Sequence, residues 1–180
     1  VVRGDIRDIA KLQPLMSGVD AVLHLACISN DTSFVLDEKL STSVNLDAFE
    51  PIVMAAKESR VKRFIFASSG AVFGDTKPPL KESNVRAPIS PYGSSKLTIE
   101  TFCETYSNVF NLNTTILRFS NAYGPYSLHK QSIVSKFINN ILSNKAIVVN
   151  GNGSVTRDYV HVSDICNAIY KSIKDKNGNK

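Results

Sequence analysis

Apolar and polar residues alternate along this chain in two rhythms. Short apolar runs at Val19–Ala26 (VDAVLHLA), Lys62–Ala67 (KRFIFA) and Thr114–Phe119 (TTILRF) have the length and composition of buried strands. Between them lie longer stretches with apolar residues on one side of a helical turn. One is Ser41–Ser59, carrying Val44, Ala48, Ile52, Ala55 and Ala56. Another runs from Tyr92 to Phe110 and should bury Leu97, Phe102, Cys103 and Tyr106. Pro51 sits inside the first and predicts a kink or a break, because its ring removes a helical hydrogen bond. Gly70–Pro91, with Pro78, Pro79 and Pro88, reads as loop. Further on, Ile133–Ser143 and Ser163–Ile173 read as helices and Ile147–Asn150 as a short strand. Strands separated by helices of this length imply crossover connections and a parallel sheet. The opening VVRGD reads as the middle of a strand, and the chain stops after a polar turn. A fragment truncated at both ends is therefore expected.

Composition narrows the class. The chain has 180 residues, 43% hydrophobic and 21% charged, enough for one globular domain or most of one. No apolar run approaches the roughly 20 residues that span a bilayer, and nothing at the start reads as a signal peptide. Cys27, Cys103 and Cys166 are odd in number, far apart and outside any C-x-x-C pair. That argues against a disulfide framework and a zinc site, and fits a reducing cytoplasm. His24, His129 and His161 are too scattered for a metal site. The net charge of +5 fits plain solubility or an anionic ligand. Nucleic acid fits poorly, because the Lys and Arg residues form no basic stripe with interleaved aromatics. Lys171, Lys174, Lys176 and Lys180 gather only at the end, as a solvated face.

The chemistry concentrates in Ser90-Pro91-Tyr92-Gly93-Ser94-Ser95-Lys96. Ser90 followed by Pro91 is a helix-start signal. Positions i and i+4 share a helix face, so Tyr92 and Lys96 should enter one pocket. A free phenol has a pKa near ~10 and is a poor base at neutral pH. A lysine cation nearby favours the phenolate and is expected to lower that value towards the range of general acid–base catalysis. Ser68 and Ser69 lie a short segment upstream, at the end of a predicted strand. The alternative is an unremarkable surface Tyr–Lys pair.

These residues, with GDIRD (Gly4–Asp8), VLHLAC (Val22–Cys27), VNLDA (Val44–Ala48), FIFASSGAVFG (Phe64–Gly74), LRFSNAYGP (Leu117–Pro125) and TRDYVHVSDI (Thr156–Ile165), make the chain resemble the extended short-chain dehydrogenases/reductases. Within them it is most similar to the NAD-dependent epimerase/dehydratase group that acts on nucleotide sugars, such as the UDP-glucose 4-epimerases. A lone Y-x-x-x-K arises often by chance, whereas seven landmarks in this order do not. The resemblance implies a Rossmann-type doubly wound parallel α/β sheet over residues 1–124. It would lack its N-terminal Gly-rich βαβ portion, and residues 125–180 would form part of a small substrate lobe interleaved with the sheet. It implies NAD as cofactor, a nucleotide-diphosphate sugar as substrate, and a homodimer in the full-length protein.

The same resemblance assigns roles residue by residue. Ser69, Tyr92 and Lys96 match the catalytic set, with Ser69 holding the reacting sugar hydroxyl near Tyr92 and Lys96 also bonding the nicotinamide ribose. Asp5 and Ile6 match an adenine-contacting pair; the alternative for Asp5 is a turn residue. Leu25 to Ser29 match the loop that passes the ribose and pyrophosphate at the carboxyl edge of the sheet, with Leu25, Ala26 and Cys27 as its cofactor-binding residues. Asn45 matches an asparagine near the cofactor, and is equally readable as a structural hydrogen-bonder. Ser68 would support the cofactor side, and Phe119 and Ser120 would lie beside the nicotinamide. Asn121 and Arg157 match substrate positions; a guanidinium fork suits a pyrophosphate, and the alternative is an ion pair with Asp158. Asp158, His161 and Asp164 read as scaffold.

Two departures shape the functional reading. No G-x-x-G-x-x-G turn occurs in the chain, so these residues alone should bind NAD weakly or not at all, and NAD is not distinguished from NADP. Sugar 4,6-dehydratases of the family carry acids just after the catalytic Ser/Thr, whereas Gly70 and Ala71 stand here. What remains supports hydride transfer with one acid/base. The leading expectation is a nucleotide-sugar epimerase acting at C4 with tightly bound NAD. The alternatives are a reductase or dehydrogenase of the same fold, or a non-catalytic truncated homologue.

Overall fold

A computed structural model describes residues 1–128 and 132–175, so His129, Lys176 and Lys180 lie outside the described residues. The chain forms two compact units, one of Val1–Arg118 together with the chain from Lys171, the other of Phe119–Tyr170.

The first unit opens on an unpaired segment; the expected strand at VVRGD does not form among the described residues. α1 (Ile9–Leu12) follows, its start capped by Asp8, which accepts the Lys11 N–H at 3.2 Å. Then come β1 (Ala21–His24), α2 (Asp31–Leu36) and α3 (Glu38–Thr42), the two helices capped by Asn30 and Asp37. The expected continuous helix over Ser41–Ser59 is broken. The chain takes a wide π turn at Ser43–Asp47 before α4 (Phe49–Glu58), and Pro51 is in the first turn of α4. Pro51 has no N–H to give to the Asp47 carbonyl, so an α-helix cannot run through this point with its ladder intact.

β2 (Arg63–Ser69) leads into a 3₁₀ turn at Gly70–Phe73, and a long loop reaches α5 (Pro91–Phe110) and β3 (Thr114–Phe119). The sheet order is β1-β2-β3. β1 and β2 are parallel, with His24 opposite Phe66. Behind them α4 and α5 supply Phe49, Ile52, Val53, Ala56, Ile99 and Cys103 to a core closed by Phe64 and Phe66. Each such large side chain contributes about 1.5–3 kcal/mol on burial. Parallel pairing sends the carboxyl ends of β1 and β2 to one edge, so the loop after His24 and the turn after Ser69 emerge side by side. That edge is where open α/β sheets bind ligands. The architecture is α/β of the Rossmann type.

The second unit pairs β4 (Asn121–Tyr123) with β5 (Tyr159–His161) in parallel, Asn121 opposite Tyr159. It also holds α6 (Ile133–Leu142), capped by Ser132, and most of α7 (Val162–Lys174). The expected strand at Ile147–Asn150 does not form; Ile147, Val148 and Val149 are exposed. Among the described residues no helix is long and apolar enough to cross a membrane.

Candidate active site

Ser69 ends β2 and caps the 3₁₀ turn. Its backbone is extended, and its Oγ accepts the Ala71 N–H at 3.2 Å. A hydroxyl that accepts on one side keeps its own hydrogen to donate on another. Ser90 accepts the Gly93 N–H at 3.1 Å and Pro91 takes the first helical position, so α5 opens immediately before Tyr92. Gly93 lets that opening settle on the Ser69 turn. A Cβ there would stand 2.7 Å from the Ala71 carbonyl oxygen and 3.0 Å from the Pro88 Cβ. Tyr92 and Ser69 meet as a result. Ser69 and the Asn30 backbone both lie close enough to the phenol to favour its ionised form.

The electrostatics correct one expectation. Tyr92 is not acidified; it is pushed up to about 12. Burial is the main cause, since the ring is 9% exposed, and Cys27 and Asp31 nearby oppose ionisation further. Ser69 and the Asn30 backbone favour the phenolate but are outweighed. The Lys96 ammonium is turned elsewhere. It donates to the Ala67 carbonyl at 2.8 Å, and stands 4.8 Å from the Phe66 ring centre and 5.8 Å from that of Tyr92. Burial lowers its own pKa, while Cys27 and Glu100 pull the other way.

The loop after β1 presents Leu25 and Ala26 to solvent and Cys27 half-buried. It is stapled from behind by Asn45, whose Oδ1 accepts the Ile28 N–H (2.8 Å) and whose Nδ2 donates to the Ile28 carbonyl (3.0 Å). Asn45 is thus a structural hydrogen-bonder in this geometry. Ser68 also faces inwards: its hydroxyl donates to Glu100 at 2.5 Å. Asp5 is held by Arg7 through both carboxylate oxygens, at 2.9 and 2.6 Å, which brings its pKa down to about 2. Ile6 packs against the core cluster.

The donor set fits the nicotinamide-ribose side of a dinucleotide. An ammonium has three N–H donors, and Lys96 commits one of them to the Ala67 carbonyl. The exposed loop backbone at residues 25–26 lies at the same strand edge. A phosphate cradle is not among these residues, since the chain has no glycine-rich turn of the required spacing.

Phe119, Ser120, Asn121 and Arg157 belong to the second unit. Ser120 Oγ and Asn121 Nδ2 donate to the Asp158 carbonyl at 2.8 and 3.1 Å. Arg157 donates to the Thr156 carbonyl at 2.9 Å and, among the described residues, forms no ion pair with Asp158. His161 is partnered by Ser163 (2.7 Å), and Asp164 is in the first turn of α7.

Three participants escaped the sequence reading. Asn30 acts through its backbone, which no residue type announces. Asp31 reaches Tyr92 only because α2 begins where it does. Glu100 did carry a signal, because Tyr92, Lys96 and Glu100 are spaced four apart on one helix face.

A parallel sheet carrying a serine at one strand end, and a Tyr-x-x-x-Lys helix docked on it, define a dinucleotide-dependent dehydrogenase/reductase architecture. All 180 residues match the model of the NAD dependent epimerase/dehydratase family, and the chain belongs to that family, whose cofactor is NAD. A Bacillus subtilis protein named as an uncharacterized UDP-glucose epimerase is 32% identical over 161 residues, which cover 89% of this chain and 51% of that protein. A solved UDP-N-acetylglucosamine 4-epimerase from Methanobrevibacter ruminantium, in complex with UDP-N-acetylmuramic acid, superposes with a TM-score of 0.91. It is 31% identical, over 98% of this chain and 58% of its own. A dTDP-glucose 4,6-dehydratase from Streptomyces venezuelae, solved with NAD bound, gives a TM-score of 0.89 at 29% identity, over 98% and 55% of the two chains. This chain spans about half the length of the curated relatives it matches.

Proposed function

We propose that the complete protein is a nucleotide-sugar 4-epimerase that uses tightly bound NAD. The observation that carries the reading is the meeting of the Ser69 hydroxyl with the Tyr92 phenol beside a turn whose next residues, Gly70 and Ala71, hold no acid. Elimination of water from a sugar needs further proton donors and acceptors at that place. Epimerisation needs one group that removes and returns a hydroxyl proton.

Ser69 holds the oxygen of the reacting hydroxyl. Tyr92 takes its proton and gives it back once the sugar has turned. Lys96, Leu25, Ala26, Cys27, Ser120 and Phe119 bind the nicotinamide side of the cofactor, Asp5 and Ile6 its adenine, with Asn45 and Ser68 supporting from behind. NAD, when bound, supplies hydride acceptance and return at one sugar carbon, and its nicotinamide charge favours the Tyr92 phenolate. Asn121 and Arg157 bind the substrate, the guanidinium suiting a pyrophosphate. The same reading takes the protein as cytoplasmic and homodimeric.

The test is an assay of the complete protein with UDP-galactose, UDP-glucuronate and their N-acetylated relatives. Interconversion of C4 epimers with no change in NADH absorbance is the expected result. Net consumption of NADH assigns a reductase, and a 4-keto-6-deoxy product assigns a dehydratase. Tyr92→Phe should lower kcat by about 10²–10⁴-fold.

A further inference from the structure

The most heavily bonded side chain of the first unit is one the proposed mechanism does not use. Glu100, fully buried in α5, accepts from Ser68 Oγ (2.5 Å), from Arg118 Nε and Nη2 (2.9 and 2.8 Å) and from Arg86 Nη1 (3.2 Å). Arg86 also reaches Glu104 at 2.6 Å, and Arg118 donates to the Glu82 carbonyl at 3.1 Å and stacks over Phe73, 5.1 Å from its ring centre. The cluster therefore ties four parts of the unit together: α5, the end of β2, β3 and the loop before α5.

Stability alone does not account for it. Burying the Glu100 carboxylate and most of the Arg118 guanidinium costs desolvation that their attraction barely repays, and apolar replacements of such buried pairs are often as stable; Arg86 and Glu104 are partly exposed and add little. What distinguishes the cluster is where it holds. Its hydroxyl arm is Ser68, next to Ser69, and its carboxylate is one turn beyond Lys96 and two beyond Tyr92 on the same helix. A bidentate guanidinium–carboxylate pair fixes direction as well as distance. Ser69 and Tyr92 sit on separate elements, and behind the pair those elements are bridged by Glu100, which accepts from Ser68, and by Lys96, which donates to the Ala67 carbonyl.

We propose that Glu100 is a positioning residue that, through Ser68, sets the separation between the Ser69 hydroxyl and the Tyr92 phenol. The proposal rests on the reading of Ser69 and Tyr92 as the reacting pair. Displacements of about 1 Å at such a pair cost about 100-fold in rate, so a tether of this kind has a kinetic signature. A residue supporting overall stability would shift the melting transition and leave the chemistry of the folded fraction intact.

The experiment uses the complete protein with Ser68→Ala, Glu100→Gln, Ser69→Ala and the two double variants with Ser69→Ala. Ser68→Ala removes the hydroxyl arm and leaves both arginine pairs in place, so it decides the matter should Glu100→Gln not fold. Each of Ser68→Ala and Glu100→Gln should lower kcat about 10–100-fold with KM within about threefold, the range for outer-shell partners of a site. Because both act through Ser69, neither should lower kcat further once Ser69 is alanine. A crystal structure of Ser68→Ala should show the Ser69 Oγ–Tyr92 Oη separation lengthened by about 0.5 Å or more. An unchanged kcat, losses that multiply with that of Ser69→Ala, or an unchanged separation overturns the proposal. A wild-type protein that converts no nucleotide sugar sinks the proposed function instead, and the measured separation then judges the positioning role alone.

Discussion

His24, at the end of β1, sits in an aromatic cage. Its ring lies 5.6 Å from Phe49, 6.2 Å from Phe64 and 6.0 Å from Phe66, and burial, helped by the charge on Lys96, brings its pKa down from 6.5 to about 4. The folded state thus prefers the neutral ring, and the unfolded state binds the proton first. Stability from this residue is complete above pH 6.5 and is lost as the pH falls towards 4. The loss is about 2 kcal/mol by pH 5 and approaches about 3 kcal/mol below pH 4. Urea unfolding from pH 7.5 to pH 4.5 should show it, and His24→Phe should flatten that part of the profile; equal slopes in the two proteins would refute the assignment. The same desolvation explains Tyr92. A reading of residue types finds the neighbouring cation but not the burial that works against ionisation, and in this structure burial outweighs every group that favours the phenolate. The pair spacing of Tyr92 and Lys96 was legible because a helix fixes it. The direction of the ammonium was not, because it follows from the Ala67 carbonyl on another element.

At the scale of elements, the site depends on how closely the start of α5 approaches the turn after β2. Gly93 makes that approach possible, and Gly74, with φ of +55° and the Ala87 carbonyl directly against it, lets the loop leave the same turn. Gly93→Ala should force the helix start away from Ala71. A loss of about 1–3 kcal/mol is expected, the usual cost of overfilling a packed contact. Thermal unfolding would register it, together with a fall in kcat. Ser90→Ala is the control, since losing the cap costs about 1 kcal/mol without adding any atom at the contact. A Gly93→Ala protein with unaltered kcat would show that the contact does not set the catalytic geometry. These elements were readable beforehand for a physical reason. β2 and α5 are long enough, and buried enough, for period and capping to speak, and β1 and β3 show as apolar runs between helices. β4 and β5 have three residues each, too few for any period, and their pairing is decided by partners more than 30 residues away. Ile147–Asn150 has strand composition but no partner among the described residues, and composition alone does not make a ladder. Pro51 announced a break without saying that the break would be a π turn four residues upstream.

The whole molecule joins a first unit with a closed core to a second whose helices bury little. α6 exposes Ile133, Ile138, Ile141 and Leu142, and α7 has no fully buried residue. The chain covers about half of its relatives' length, and its ligand-binding capacity should be unequal in the same way. In the proposed reading Lys96 and the loop at residues 25–27 take the nicotinamide side. On the adenine side Asp5 is already committed to Arg7, and Ile6 to the core. For the pyrophosphate it offers no glycine-rich turn, and a helix N-terminus presented by such a turn is what usually holds that dianion. A polypeptide of these 180 residues should therefore bind NAD with a Kd above about 1 mM, a binding free energy no stronger than about −4 kcal/mol. The net charge of +5 attracts any anion, so the measurement must separate that attraction from recognition. Calorimetric titration with NAD and with inorganic pyrophosphate, at low salt and at about 0.5 M salt, does so, because screening removes the general attraction and leaves fitted contacts largely intact. Weak, salt-sensitive binding, stronger for the more highly charged inorganic pyrophosphate than for NAD, is the expected result. A Kd for NAD below about 10 µM that survives high salt would mean that these residues hold the pyrophosphate by a device other than a glycine-rich turn, and the division of labour argued here would be wrong.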